Sequence, residues 1–212
     1  MPASINPRKR AVYFQPGAVV LSVSIMRKLV ATIVVSLALT SPSVRALADY
    51  PEEIPFVPTP IEVVDRMLEL AEIKKGDIVY DLGSGDGRIV IRAAQKYGVR
   101  AVGIEMDSLL LAKARKDAKA AGVSHLVEFR AEDALKADIS KATVVTLYML
   151  PWFNEAMKPS FQKYLKPGAR IVAHDFGIEG WEPDMTVKLP EPENKTGGLV
   201  HYHTLYLWRI KQ

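Results

Sequence analysis

The sequence predicts an α/β domain with a doubly wound, mostly parallel seven-stranded sheet that ends in an antiparallel strand pair. Short strands alternate with helices, and the strands over 144–148 and 171–173 are almost wholly apolar, which is typical of a sheet covered on both faces. The last two strand-like runs, 186–189 and 204–210, are joined by a loop rich in Pro, Glu and Gly. With no helix between them, they are expected to pair antiparallel.

A proline-rich arm over residues 50–60 leads into the predicted domain. Its four prolines favour an extended chain and bar a helix until the end of the arm. Thr59 is predicted to cap the first helix, with Pro60 in the first helical position and Glu62 completing a capping box.

Hydrophobic periodicity and turn residues predict the elements that follow. They are a strand in the run 77–83, a helix over 86–97 closed by Gly98, a strand over 100–105, a helix over 108–121, strands over 126–130 and 143–150, a helix over 152–165 and a strand over 170–175.

Composition limits the function classes. The 212 residues suit one ordinary domain with a core that needs no disulfide or metal. The chain has no cysteine, which excludes disulfide scaffolds, thiolate zinc sites and a cysteine nucleophile.

The net charge of +4 comes from the N-terminal segment. Residues 1–48 hold six of the 28 basic residues and no acidic residue, so residues 49–212 carry 22 basic against 24 acidic side chains. The predicted domain is slightly acidic, and no nucleic acid partner is expected.

Residues 26–48 have the three parts of a secretory signal peptide, which predicts a leader over 1–48 and a domain over 49–212. Basic Arg27 and Lys28 precede the apolar run 29–39, and a small-residue site ends at Ala48. Translation is expected to begin at Met26. An uncleaved membrane anchor and an unstructured tail are the alternatives, and the localisation stays open.

A glycine-rich turn is the strongest local signal. The sequence from Asp81 to Arg88, Asp-Leu-Gly-Ser-Gly-Asp-Gly-Arg, follows a strand and opens a helix. Glycines allow a tight turn and close approach of a ligand, and the helix N-terminus supplies N–H donors. A dinucleotide fingerprint needs glycine where Arg88 stands, which disfavours a nicotinamide-dependent reductase.

Acidic residues follow the next two strands. Glu105 ends the second strand, where a carboxylate can accept both hydroxyls of a ribose, and Asp133 lies just beyond the third strand. Carboxyl ends of parallel strands meet at one edge, so a nucleoside site is expected there.

These motifs, with the terminal strand pair, resemble the Rossmann-like class I S-adenosylmethionine-dependent methyltransferases from about Phe56 to the C-terminus. The resemblance implies S-adenosyl-L-methionine as cofactor and methyl transfer as reaction. In the family the glycine turn lies against the methionine part of the cofactor, the acid of the second strand binds the ribose and the acid after the third strand contacts the adenine. The implied cofactor-binding residues are Asp81, Gly83, Ser84, Gly85, Glu105, Met106 and Asp133.

A narrower resemblance rests on the segments 56–60, 81–90 and 147–151. They are similar to small bacterial relatives of the mitochondrial protein-lysine methyltransferases that act on the ATP synthase c-subunit and on the adenine nucleotide carrier. This implies a protein lysine as methyl acceptor, with a membrane protein among the candidates, and a monomer is expected. A small-molecule methyltransferase and a noncatalytic nucleoside-binding protein are the alternatives.

Three residues at strand ends are candidates for catalysis. Tyr148 lies at the end of the fourth strand, where amino-directed methyltransferases often carry an Asn/Asp-Pro-Pro-Tyr motif that this chain lacks. His174 and Asp175 end the fifth strand, where an imidazole can accept a proton near neutral pH. A packing tyrosine and a histidine bonded to the edge of the site are the alternatives.

His201 and His203 share a face of the last strand by spacing. No third ligand is apparent in the sequence, so no metal site is predicted.

Overall fold

The computed structural model describes residues 55–190 and 202–211 of the chain. Its strands are β1 Ile78–Leu82, β2 Arg100–Glu105, β3 Val127–Ala131, β4 Val144–Leu147, β5 Arg170–His174, β6 Met185–Pro190 and β7 Tyr202–Arg209. Its helices are α1 Ile61–Leu70, α2 Arg88–Tyr97, α3 Ser108–Ala120 and α4 Pro151–Tyr164.

The strands form one sheet in the order β3-β2-β1-β4-β5-β7-β6. Strands β1 to β5 run parallel, whereas β7 pairs antiparallel with both β5 and β6. The predicted seven-stranded, mostly parallel sheet with its antiparallel end is therefore confirmed. The carboxyl ends of β1 to β5 lie along one edge.

Two apolar layers cover the sheet because successive side chains of a strand point to opposite faces. On one face Val79 packs with residues of α1 and α2, such as Val64 and Val90. On the other face Tyr80 packs with residues of α4 and β7, such as Phe161 and Trp208. The middle strands are buried on both sides, as their apolar sequences predicted.

The predicted cap of the first helix is wrong. Helix α1 begins at Ile61 with Pro60 in the N-cap position and no side-chain cap. The Thr59 side chain is 3% exposed, and its hydroxyl lies 3.2 Å from Nδ1 of His174. A buried partner on β5 takes the hydroxyl that the local sequence assigns to the helix.

Strands β4 and β5 end earlier than predicted. β4 ends at Leu147, so residues 148–150 lie at the edge of the sheet before α4 begins at Pro151. β5 stops at His174 because Asp175 adopts a left-handed conformation with φ of 59°. Both early ends place polar side chains at the carboxyl edge.

The predicted leader over 1–48 lies outside the described residues, so its cleavage stays a prediction. Within 55–190 and 202–211, no helix has the length and apolar character needed to span a membrane.

Candidate functional site

The glycine turn after β1 is held by the end of β2. The backbone N–H groups of Gly83 and Ser84 both donate to the carbonyl of Ile104, at 2.9 Å. Gly83 and Gly85 have φ of 77° and 53°, a left-handed region that side chains with a Cβ adopt at a cost.

The turn also touches two other segments of the site. A Cβ on Gly83 would overlap the thioether of Met149, and a Cβ on Gly85 would overlap the ring of Phe56. The turn is thus packed against both the residues after β4 and the N-terminal arm, which leaves no room for a side chain there.

Glu105 ties the turn to the end of β2. Its carboxylate accepts the backbone N–H groups of Gly85 and Met106 at 2.8 Å each and that of Asp107 at 2.9 Å. Three bonds fix the carboxylate, and a carboxylate has about four acceptor positions, so capacity for a ligand hydroxyl remains.

Apolar and acidic residues follow Glu105 and its neighbouring strand β3 along the sheet edge. Met106 and Leu109 are 69% and 79% exposed, which is high for large apolar residues. Asp133 lies beyond Ala131, the register partner of Glu105, and pairs with Lys136 at 2.9 Å. The apolar side chains can pack against a flat ring, and the carboxylate can accept a hydrogen bond from its polar edge.

Asp81 is a buried carboxyl beneath the turn. It is 3% exposed and accepts a 2.7 Å hydrogen bond from the hydroxyl of Thr146. Burial, with smaller contributions from the negative charges of Glu105 and Asp86, raises the pKa of Asp81 to about 7. A cation bound nearby would favour its ionised form.

Arg88 connects the arm to the turn. Its guanidinium forms two bonds to the carboxylate of Asp86, at 2.9 and 2.8 Å, and donates to the carbonyl of Thr59 at 2.9 Å. Thr59 therefore contacts Arg88, at the end of the glycine turn, through its carbonyl and His174 of β5 through its hydroxyl.

Tyr148, His174 and Asp175 come together at the same edge, although they follow two different strands. The Tyr148 ring lies 4.0 Å from the His174 ring, centroid to centroid, and its hydroxyl lies 3.4 Å from Oδ2 of Asp175. Burial lowers the pKa of the fully buried His174 to about 4, which keeps its ring neutral.

His203 completes this cluster, although the sequence grouped it only with His201, which lies outside the described residues. Nδ1 of His203 lies 2.9 Å from Nε2 of His174 and 3.7 Å from Oδ2 of Asp175. His174, Asp175 and His203 offer ligand atoms that all lie within 4.8 Å of one another. His203 is thus joined by two residues at the end of β5, His174 and Asp175, and the antiparallel register of β5 and β7 is the signal that would have found this grouping.

Asn154 is a second residue that sequence reasoning missed. It is fully buried on α4, and its amide donates to the carbonyls of Phe176 and Gly177 at 3.0 and 3.3 Å. These bonds hold the chain that follows Asp175.

The two halves of the site are adjacent. Leu82 and Leu147 are register partners, and Met149 contacts Gly83, so Tyr148 lies next to the glycine turn. Strand order reverses between β1 and β4, and ligands of open α/β sheets bind at such switch points.

Comparison with known proteins agrees with this geometry. The family model described as the ANTKMT methyltransferase domain matches residues 81–185. A protein-lysine N-methyltransferase from Saccharolobus islandicus (strain REY15A) is 42% identical over 162 residues, which cover 76% of this chain and 96% of that protein.

Two further relatives differ in the acceptor named. The Homo sapiens lysine N-methyltransferase of the ATP synthase c-subunit is 31% identical over 156 residues, covering 74% of this chain and 64% of that protein. The crystal structure of an RNA methyltransferase from Salinibacter ruber in complex with S-adenosyl-L-homocysteine has a TM-score of 0.67 and 54% identity. The matched region covers 74% of this chain and 95% of the Salinibacter chain.

Proposed function

This chain belongs to the S-adenosylmethionine-dependent methyltransferases of the ANTKMT family, and we propose that it methylates a lysine side chain of a protein. S-adenosylmethionine is its cofactor and supplies a methyl group bonded to a positively charged sulfur. The chain's own residues must bind this donor, hold the acceptor nitrogen in line with the methyl group and exclude water.

Features of the described residues fit the cofactor. Ser84 has a buried hydroxyl with no hydrogen-bond partner within 55–190 and 202–211, at the turn where a ligand is expected. Met106 exposes a large apolar side chain beside Glu105. An unsatisfied hydroxyl, a fixed carboxylate and an exposed thioether side chain suit a ligand with polar and apolar parts.

The cofactor contacts divide along the sheet edge. The backbone of Gly83 and Gly85, with the Ser84 hydroxyl, faces the methionine part, and the carboxylate of Asp81 favours its positive charge. The remaining acidic and apolar groups act on the nucleoside: Glu105 binds the ribose, Met106 packs on the adenine and Asp133 accepts from the adenine amino group.

The acceptor nitrogen lies at the Tyr148 side of the turn. Oδ2 of Asp175 and the hydroxyl of Tyr148 accept its N–H groups, and His174 packs against the Tyr148 ring to hold it in place. The observation that carries this proposal is the carboxylate of Asp175 within 3.4 Å of the Tyr148 hydroxyl, because a carboxylate attracts a basic amine and repels a phosphate group. The relatives named as lysine methyltransferases support the same acceptor class.

RNA is the second candidate acceptor, since the relative that is 54% identical is described as an RNA methyltransferase. The charge of residues 49–212 counts against it. That segment carries 22 basic and 24 acidic side chains, whereas an RNA-binding domain needs a basic surface.

We also propose that the chain acts as a monomer on a membrane-associated protein. Thr59 of the arm contacts both Arg88 after the turn and His174 of the acceptor cluster within one chain, which supports a site built by a single chain. One relative is named for the c-subunit of ATP synthase, which supports a membrane-associated acceptor. Size-exclusion chromatography with light scattering should give the mass of one chain; a dimer that dissociates only with loss of activity would contradict the monomer.

A labelling experiment tests the acceptor. The full chain is incubated with methyl-labelled S-adenosylmethionine and separated membrane, soluble, RNA and small-molecule fractions of its host. Label is expected in protein and, after acid hydrolysis, in methylated lysine. Label that nuclease removes, or label confined to small molecules, would overturn the lysine proposal.

Matched variants show that the label depends on the proposed site. Glu105→Gln should abolish most labelling because the fixed carboxylate loses its charge, and the exposed Glu155→Gln should label like the natural chain. Equal labelling by both variants would contradict the assignment of Glu105.

A further inference from the structure

We propose that His174, His203 and Asp175 form a binding site for a divalent transition metal of the zinc type at the acceptor end, and that a metal held there competes with the acceptor amine. The competition rests on the proposed lysine methylation; the metal site does not.

The geometry of the three ligand atoms suits such an ion. Nε2 of His174 lies 2.9 Å from Nδ1 of His203 and 3.2 Å from Oδ2 of Asp175, and the third side of this triangle is 3.7 Å. Ligand bonds of about 2.1 Å at tetrahedral angles place neighbouring ligand atoms about 3.4 Å apart. Shifts of a few tenths of an ångström would therefore bring all three atoms to bonding distance of one ion.

The surroundings orient the ligands. Nδ1 of His174 lies 3.2 Å from the Thr59 hydroxyl, which leaves Nε2 free to face the other two ligands. A metal-bound histidine usually has such a partner on its second nitrogen. Oδ1 of Asp175 accepts the backbone N–H of Thr204 at 2.9 Å, so Oδ2 is the oxygen turned toward the histidines.

The donor set decides which metals fit. Two imidazoles and one carboxylate suit Zn²⁺ and Co²⁺, whereas Mg²⁺ and Ca²⁺ prefer oxygen ligands alone. The Tyr148 hydroxyl lies 3.4 Å from Oδ2 of Asp175 and would therefore be close to an ion bound to that oxygen. Three protein ligands with an open fourth position are typical of sites whose metal contacts a small ligand.

Competition follows from the shared oxygen. Oδ2 of Asp175 is the atom that would accept an N–H of the amine, and a metal bound to it removes that acceptor. The positive charge of the ion would also repel a lysine ammonium group as it approaches.

Metal titration of the full chain tests the site. The protein is stripped with a chelator, dialysed and titrated with Co²⁺, whose visible absorption reports tetrahedral nitrogen and oxygen ligands, and Zn²⁺ should then displace it at one equivalent. His203→Ala should weaken Co²⁺ binding at least about tenfold, because loss of a ligand should cost no less than loss of a partner that only orients a ligand. His125→Ala, which removes an exposed histidine elsewhere, should bind like the natural chain.

Thermal unfolding guards against misfolded variants. Zn²⁺ should raise the unfolding temperature of the natural chain and of His125→Ala but not that of His203→Ala. Metal bound to the complete site stabilises the folded state, and the variant lacks one ligand of that site. No visible band with the natural chain, or equal Co²⁺ affinity in His203→Ala, would overturn the metal site and leave a purely hydrogen-bonded cluster.

The competition has its own readout. Zn²⁺ should slow methylation of the labelled protein fraction by the natural chain, and more acceptor should relieve the inhibition. For His203→Ala, the methylation rate should be the same with and without Zn²⁺. Zn²⁺ binding without inhibition would refute the competition alone. Absence of lysine methylation would refute the proposed function and leave the titration result standing.

Discussion

Asp81 is predicted to make cofactor binding depend on pH between 6 and 8. Its carboxyl is buried beneath the glycine turn and has a pKa of about 7 in the free protein. About one tenth of it is therefore ionised at pH 6 and about nine tenths at pH 8. If the positively charged cofactor binds only the ionised form well, its Kd should fall about tenfold over this range.

Asp81→Asn isolates this effect because the amide keeps the size of the side chain and can still accept from Thr146. The variant should bind S-adenosylmethionine weakly and with little dependence on pH beyond that of the cofactor's own amino group. Isothermal titration calorimetry at pH 6, 7 and 8 measures both proteins. An unchanged pH dependence in Asp81→Asn would refute the reasoning.

The same carboxyl should lower the stability of the cofactor-free protein. Burial raises the pKa of Asp81 from 3.8 to about 7, so the folded protein binds more protons than the unfolded chain between these values. Stability from this group is therefore lost as pH rises through that window, by about 4 kcal/mol in total. Asp81→Asn should then unfold at a higher temperature than the natural chain at pH 8, and a lower temperature would contradict a raised pKa.

Three further predictions concern the turn, the arm and the leader. Gly83→Ala should reduce cofactor affinity in calorimetry far more than Gly98→Ala, because both glycines have positive φ but a Cβ at Gly98 meets nothing within 4 Å. Thr59→Val should lower the methylation rate up to about tenfold at unchanged cofactor Kd, as within the described residues its hydroxyl bonds His174 alone, and a change in Kd alone would contradict this. N-terminal sequencing of the native protein should find Asp49 first, and residues before it would refute cleavage of the leader.

The placement of the glycine turn and Glu105 at one edge of the sheet could be predicted from sequence because its signals are local. The glycine turn, Glu105 and Asp133 are each defined by position relative to the end of one strand. Parallel strands then bring those ends together, and register pairs such as Asp81 with Gly103 follow from the alternation of strands and helices. Short-range pattern and fold class were sufficient to predict this placement, and the cofactor contacts themselves stay a prediction.

The failure at Thr59 has a tertiary cause. A capping box is a local pattern, and the sequence satisfied it fully, yet the hydroxyl bonds a histidine 115 residues away. Only the packing of the arm against β5 decides between these two partners, and that packing is not encoded in the spacing of Thr59 and Glu62. Buried polar groups need hydrogen-bond partners, so the Thr59 hydroxyl bonds the buried imidazole of His174 and does not cap the helix.

The acceptor half is assembled from segments that are remote in sequence: Thr59 from the arm, Tyr148 after β4, Asp175 after β5 and His203 from β7. On the proposed function, a substitution in any one of them would change the surroundings of the acceptor nitrogen and leave Glu105 and the glycines of the turn in place. Relatives can therefore share the donor half and differ in acceptor, as the names of the Saccharolobus, human and Salinibacter proteins indicate. It follows that the similarity over residues 81–185 supports methyl transfer, whereas the proposed acceptor contacts draw on residues inside that range, Tyr148 and Asp175, and on residues outside it, Thr59 and His203.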